Sequence, residues 1–183
     1  MTNKVKRIVW LSDCSKRTGA GIVSYNICSR LAQSGIEVFH LGAGFDSEEF
    51  IERGKNYKLL PAGPVGAGGT ISDTAAQVFM TSMRQIKPDL AVIYADPYMV
   101  SWLMQYQCPV PLLFYAILDG YTFNDKLQLA GGWPPKLSEI LDRASVVIVP
   151  SKFSQKIANV SSFANKTVTI PHGVDTATFK PPV

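Results

Sequence analysis

The chain has 183 residues, close to the length of a single domain. Its hydrophobic fraction of 46% and charged fraction of 17% exclude a disordered chain and point to a globular core. The net charge of +4 leans toward phosphate-bearing or anionic partners. No long basic run or nucleic-acid motif accompanies it, so a nucleic-acid partner is not expected. The longest apolar stretch, Pro109–Leu118, falls far short of the ~20 residues a membrane span needs. Behind Lys4, Lys6 and Arg7 only Ile8–Leu11 is apolar, too short for a signal-peptide core. The expectation is a cytoplasmic protein. Cys14, Cys28 and Cys108 lie far apart with no C-x-x-C spacing, so neither a metal site nor a disulfide framework is expected.

The first run, Arg7–Asp13, is short, apolar and rich in β-formers, and reads as a buried strand. A polar loop leads to Gly19-Ala20-Gly21 and a helix. Ile22, Tyr25, Leu31 and Ala32 form its expected core face, bridged by Ile27 and Cys28, and Gly35 ends it. Ile36–Leu41 is the second strand and Tyr57–Leu60 a short third. A helix follows the capping residues Ser72 and Asp73 and ends near Lys87, before Pro88. Leu90–Tyr94 reads as a strand, and Pro97–Tyr106 as a helix with proline in its first turn. Pro111–Leu118 is a strongly apolar central strand. An aromatic loop, Asp119–Pro134, carries Tyr121, Phe123 and Trp133. Helix Pro135–Arg143, strand Ser145–Val149, helix Ser151–Val160 and strand Thr167–Ile170 complete the alternation. Strands alternating with helices predict an α/β domain with a mostly parallel, doubly wound sheet of about seven strands.

In such sheets ligands bind beyond the carboxyl ends of the strands. Four segments leave those ends with useful chemistry. Gly19 and Gly21 open a helix, where free amides and the helix dipole suit a phosphate. They equally suit a tight turn with close packing. The third glycine of the dinucleotide fingerprint is missing, and no acid ends the second strand, so NAD is not expected. Asp119, before Gly120, can accept a hydrogen bond from a sugar hydroxyl, act as a base, or close a turn. Ser151 reads as a helix N-cap, with Lys152 adding a charge beside it. His172, in a Pro-His-Gly turn, is either structural or a cleft residue. The aromatic loop residues can stack on a sugar or an acceptor, or pin the loop.

Two ordered motifs then resemble a known family. Residues 143–154 read RASVVIVPSKFS, and residues 168–181 read VTIPHGVDTATFKP. They are similar to the junction motifs of family 4 glycosyltransferases of the GT-B fold. The stretch LAQSGIEV at 31–38 is similar to the end of that family's first helix and its second strand. The resemblance covers essentially the whole chain.

The resemblance implies two Rossmann-like domains facing across a cleft. Residues 1–178 would form the N-terminal, acceptor-side domain of three layers, and 179–183 the start of a linker. The donor-binding C-terminal domain, with its paired-glutamate motif, would lie outside the chain. The implied reaction moves a sugar from a nucleotide-sugar to a glycan, lipid or small-molecule acceptor with retention, without metal or cofactor. In this reading Gly19, Ala20 and Gly21 approach the donor diphosphate. Asp119 stands where many members carry histidine, and is the candidate catalytic group. Gly120, Tyr121, Ser151, Lys152, His172 and Gly173 line the cleft. The chain alone would be inactive. A lipid acceptor would bring it to the inner membrane face. Two alternatives stand beside this reading: a short subunit that pairs with a separate donor-binding chain, and a non-catalytic sugar- or nucleotide-binding module.

Overall fold

A computed structural model describes residues 4–15, 18–44, 57–65, 71, 73–118, 135–174, 176 and 179. Its strands are β1 (Arg7–Asp13), β2 (Glu37–Ala43), β3 (Lys58–Gly63), β4 (Leu90–Ala95), β5 (Leu112–Ala116), β6 (Val146–Val149) and β7 (Thr167–Thr169). Its helices are α1 (Gly19–Gln33), α2 (Asp73–Ile86), α3 (Pro135–Asp142) and α4 (Lys152–Ala158). A 3-10 segment spans Pro97–Gln105.

The strands form one sheet in the order β3-β2-β1-β4-β5-β6-β7. All six pairings are parallel, so the expected mostly parallel sheet is parallel throughout. The chain order reverses between β1 and β4. That switch opens a crevice at the carboxyl edge, where connections on either side run apart.

Side-chain alternation along each strand divides the core in two. Val9 and Leu11 of β1 join Ile93, Phe114, Val147 and Val149 under α2, the 3-10 segment, α3 and α4. Ile8 and Trp10 face the other way, with Val92, Tyr94, Tyr115 and Ile148. On that face the helix among the described residues is α1.

Two sequence expectations are corrected here. On α1, Tyr25, Ile27, Leu31 and Ala32 pack on the core and Cys28 is buried, as expected, but Ile22 is 49% exposed, and the other buried positions are the small residues Gly21 and Ser24. Small residues let α1 lie close to the sheet. Gly21 shows why: a Cβ there would stand 1.8 Å from the carbonyl oxygen of Ser15. The second correction concerns Pro97–Tyr106. The segment is 3-10 and breaks at Val100, whose φ/ψ of −122°/36° is not helical. Val100, Trp102 and Leu103 are buried in the core on this face of the sheet. Gly35 ends α1 as expected, at φ 89°, with its N–H donating to Ala32 O.

Candidate functional site

The carboxyl end of β1 delivers Asp13 to the loop before α1. Its Oδ1 accepts the Ser15 N–H at 2.7 Å, and its Oδ2 accepts the Thr18 hydroxyl at 2.7 Å. Thr18 in turn is the N-cap of α1: its Oγ1 accepts the Gly21 N–H at 3.0 Å. One carboxylate thus fixes the loop, and the loop fixes the helix start. The three members of Gly19-Ala20-Gly21 therefore differ. The Gly21 amide is engaged and its α-carbon is hemmed in by Ser15. The Gly19 and Ala20 amides have no protein acceptor among the described residues. Gly19 is exposed, with open space where a Cβ would be.

Behind this loop lies a buried polar cluster. Ser12 Oγ meets Ser24 Oγ at 2.7 Å and His40 Nε2 at 2.8 Å, and accepts the Trp10 indole N–H at 3.1 Å. His40 is 0% exposed, and its Nδ1 lies 3.3 Å from the Tyr57 hydroxyl. Buried polar groups are tolerable when partnered in this way. The cluster pins α1 to β1 and β2. Sequence reading passed over Asp13, Thr18 and His40 as loop or strand residues. The available signal was local: an aspartate ending a strand, five residues before a threonine that precedes a helix.

At the other end of the sheet, Ser151 is the N-cap of α4. Its Oγ accepts the Ser154 N–H at 3.0 Å. Ser154 Oγ donates to Leu118 O at 3.4 Å, so the start of α4 sits beside the end of the β5 connection. Lys152 is exposed there. Asp119, Gly120 and Tyr121, with Phe123 and Trp133, lie outside the described residues.

A groove of about 870 Å³ runs between α1 and the segment after β7. Ile22, Asn26 and Arg30 form one wall, Tyr115 the floor, and Ile170 to Val174 the other wall. His172 and Gly173 belong to it; Ser151 and Lys152 do not. The His172 ring lies 5.5 Å from that of Tyr115 and 6.2 Å from that of Tyr94. Desolvation in this setting lowers the His172 pKa below its ordinary value. The neutral imidazole is therefore favoured at neutral pH. Among the described residues no three His, Cys, Asp or Glu side chains converge as metal ligands would.

The pattern of Glycosyltransferase Family 4 matches residues 17–178. The chain belongs to this family. No curated protein matches it. Among solved structures, that of Alr3699/HepE from Anabaena in complex with UDP and glucose aligns with a TM-score of 0.60 at 18% identity. The alignment covers 95% of this chain and 46% of that one. MurG of Acinetobacter baumannii aligns with a TM-score of 0.55 at 14% identity, covering 93% and 47% respectively. The chain thus spans less than half the length of either. These likenesses are of fold, and the fold is that of the N-terminal domain of a GT-B glycosyltransferase. No helix among the described residues is long and apolar enough to cross a membrane.

Proposed function

We propose that this domain is the acceptor-side half of a retaining glycosyltransferase that moves a sugar from a nucleotide-sugar to an acceptor. The observation that supports the reading is the pair of amides, Gly19 and Ala20, without an acceptor among the described residues, at the start of a 15-residue helix beside the sheet's switch point. As the donor bond breaks, negative charge grows on the leaving diphosphate. Amides already held in place at a helix start stabilise that charge without reorganising. The structure of HepE with UDP and glucose supports a nucleotide-sugar donor by analogy of fold.

In this reading Gly19, Ala20 and Gly21 form the diphosphate loop, with Gly21 serving as the packing residue that lets the other two point outward. Ser151 and Lys152 add a charge at the far side of the edge, and His172 and Gly173 line the acceptor groove. Asp119 is the candidate catalytic carboxylate, with Gly120 and Tyr121 beside it. No metal or cofactor is required. A second, donor-binding domain completes the site, and the chain alone turns over no donor.

A separate donor-binding chain would serve as well as a covalently linked one. The exposed apolar residues Ile22, Ile170, Val174 and Phe179 around the groove favour docking of some further element.

The test is Gly19→Pro in an enzyme that joins this domain to a donor-binding domain. Gly19 is the first helical residue, where proline is tolerated and removes only the N–H. Thr18, at φ −111° and ψ 149°, already holds the extended backbone that a following proline requires. The variant should keep its melting temperature and lose sugar transfer by roughly 100-fold, the scale of one lost transition-state donor. Unchanged transfer would remove the diphosphate role from this loop.

A further inference from the structure

Tyr115 occupies an unusual place for a strand residue. It is the floor of the groove, yet its hydroxyl reaches out of the sheet. The phenol O–H donates to Ile170 O at 3.0 Å, joining positions 55 residues apart in the chain. Ile170 is the residue after β7, where the backbone leaves the sheet. The same Tyr115 ring meets His172 at 5.5 Å and an interplanar angle of 64°. Tyr94, on the adjacent strand, backs both: it lies 4.9 Å from Tyr115 and meets His172 at 89°. Tilted and edge-on contacts of this kind are the favoured arrangement of aromatic rings.

β7 is three residues long and an edge strand, so it cannot by itself fix the chain that follows. Ile170 N–H donates to Val149 O at 3.0 Å, and beyond that point the described backbone of 171–174 has no ladder bond. The aim of His172 is thus set from below, by two tyrosines, rather than by its own strand.

We propose that Tyr115 is a positioning residue: it tethers the segment after β7 and, with Tyr94, holds the His172 imidazole in the groove as a substrate-facing group. The groups packed against the His172 ring are the aromatic rings of Tyr115 and Tyr94; the charged residue lining the groove among the described residues is Arg30, whose Nη1 donates to Asn26 Oδ1. No carboxylate lines this groove among the described residues. Burial against these rings disfavours the charged imidazolium and lowers the His172 pKa. Seated this way, the ring presents a neutral nitrogen suited to a hydroxyl of a sugar or acceptor. That last step rests on the glycosyltransferase reading; the tether does not.

The experiment separates the two. The chain has two histidines, and His40 is fully buried, so imidazole resonances that titrate can be assigned to His172 by a His172→Gln control. In the 183-residue chain, NMR titration should give His172 a midpoint below the ordinary value of about 6.5. Tyr115→Phe, which keeps the ring and loses the O–H, should raise that midpoint toward the ordinary value and broaden or split the resonance. Tyr115→Leu should raise it further. Unaltered circular dichroism in Tyr115→Phe shows that the fold is intact. A midpoint and line shape identical in wild type and both variants would overturn the tether. In the joined two-domain enzyme, Tyr115→Phe should raise the acceptor KM severalfold while kcat changes less. A moved NMR midpoint with an unmoved KM would uphold the tether and overturn the substrate-facing role.

Discussion

The two edges of the sheet treat polar groups in opposite ways. At the amino edge Arg7, Glu37, Lys58 and Asp89 are paired. Glu37 takes Arg7 at 2.6 Å and also Lys58, and Asp89 Oδ2 accepts the backbone N–H groups of Lys6 and Arg7 at 2.8 and 2.9 Å. The Arg7 guanidinium further donates to Ile86 O at the end of α2. At the carboxyl edge the polar groups are fixed but not exhausted. Asp13 and Thr18 hold a loop whose next two amides have no acceptor among the described residues, and Tyr115 packs on a histidine that lines a groove. The amino edge spends its hydrogen bonds on the fold. The carboxyl edge spends some of them on keeping others available, as an enzyme built on a parallel sheet requires.

The strongest way to break this contrast is at the residue where fold and site meet. Gly21→Ala puts a methyl 1.8 Å from the Ser15 carbonyl oxygen, a backbone atom that cannot swing aside. The expected loss is about 3 kcal/mol, the upper part of the range for overpacking, read as a drop in the urea midpoint. Gly19→Ala meets nothing within 4 Å and should leave stability within about 0.5 kcal/mol of wild type. If the two glycines behaved alike, the division of labour within the loop would fail.

A smaller effect follows from the carboxylate that organises the loop. Asp13→Ala removes the acceptor of two hydrogen bonds and loosens the Thr18 cap. The expected cost is about 1–2 kcal/mol in urea unfolding, on the scale of a lost cap or a lost bond to a charged group. Asp13→Asn keeps one acceptor and should lose less. Equal stability in all three proteins would show that the loop is held by packing alone.

How much of this was visible in the sequence differs by level. The span of β1, Arg7–Asp13, could be read directly, because a buried parallel strand is a compact apolar run bounded by polar residues. The remaining six strands could be placed to within a few residues for the same reason. The core face of α1 could be read in part. Tyr25, Ile27, Leu31 and Ala32 pack on the core and Cys28 is buried, but Ile22 is exposed, and the buried Gly21 and Ser24 carry little hydrophobic signal; Ser24 is buried beside Ser12. The tie from Tyr115 to Ile170 joins residues far apart in the chain, so no local pattern announces it. The Ser151 cap is the opposite case: a serine between a strand and a helix is legible because the whole interaction lies within four residues.

The mildest test concerns the amino edge. Hydrogen bonds from Lys58 and Arg7 hold the Glu37 carboxyl below its ordinary value of 4.5, and backbone N–H groups of Lys6 and Arg7 hold Asp89 below 3.8. A carboxylate with a depressed folded-state pKa stabilises the protein above its unfolded value. That contribution is lost as pH falls through the folded one. Stability should therefore be level in these two groups at neutral pH and decline once the pH drops below about 4.5, first through Glu37 and then through Asp89. Both carboxylates are solvent-exposed, so the effect is small and shrinks further as salt screens the pairs. Glu37→Gln should flatten the upper part of that acid limb and leave Gly19→Pro and Tyr115→Phe phenotypes untouched, since no described contact links Glu37 to the carboxyl edge. An acid limb unchanged by Glu37→Gln would move the titrating group elsewhere. A change in sugar transfer by the joined enzyme would show that the two edges communicate, and that the separation between a spent edge and an available one is not complete.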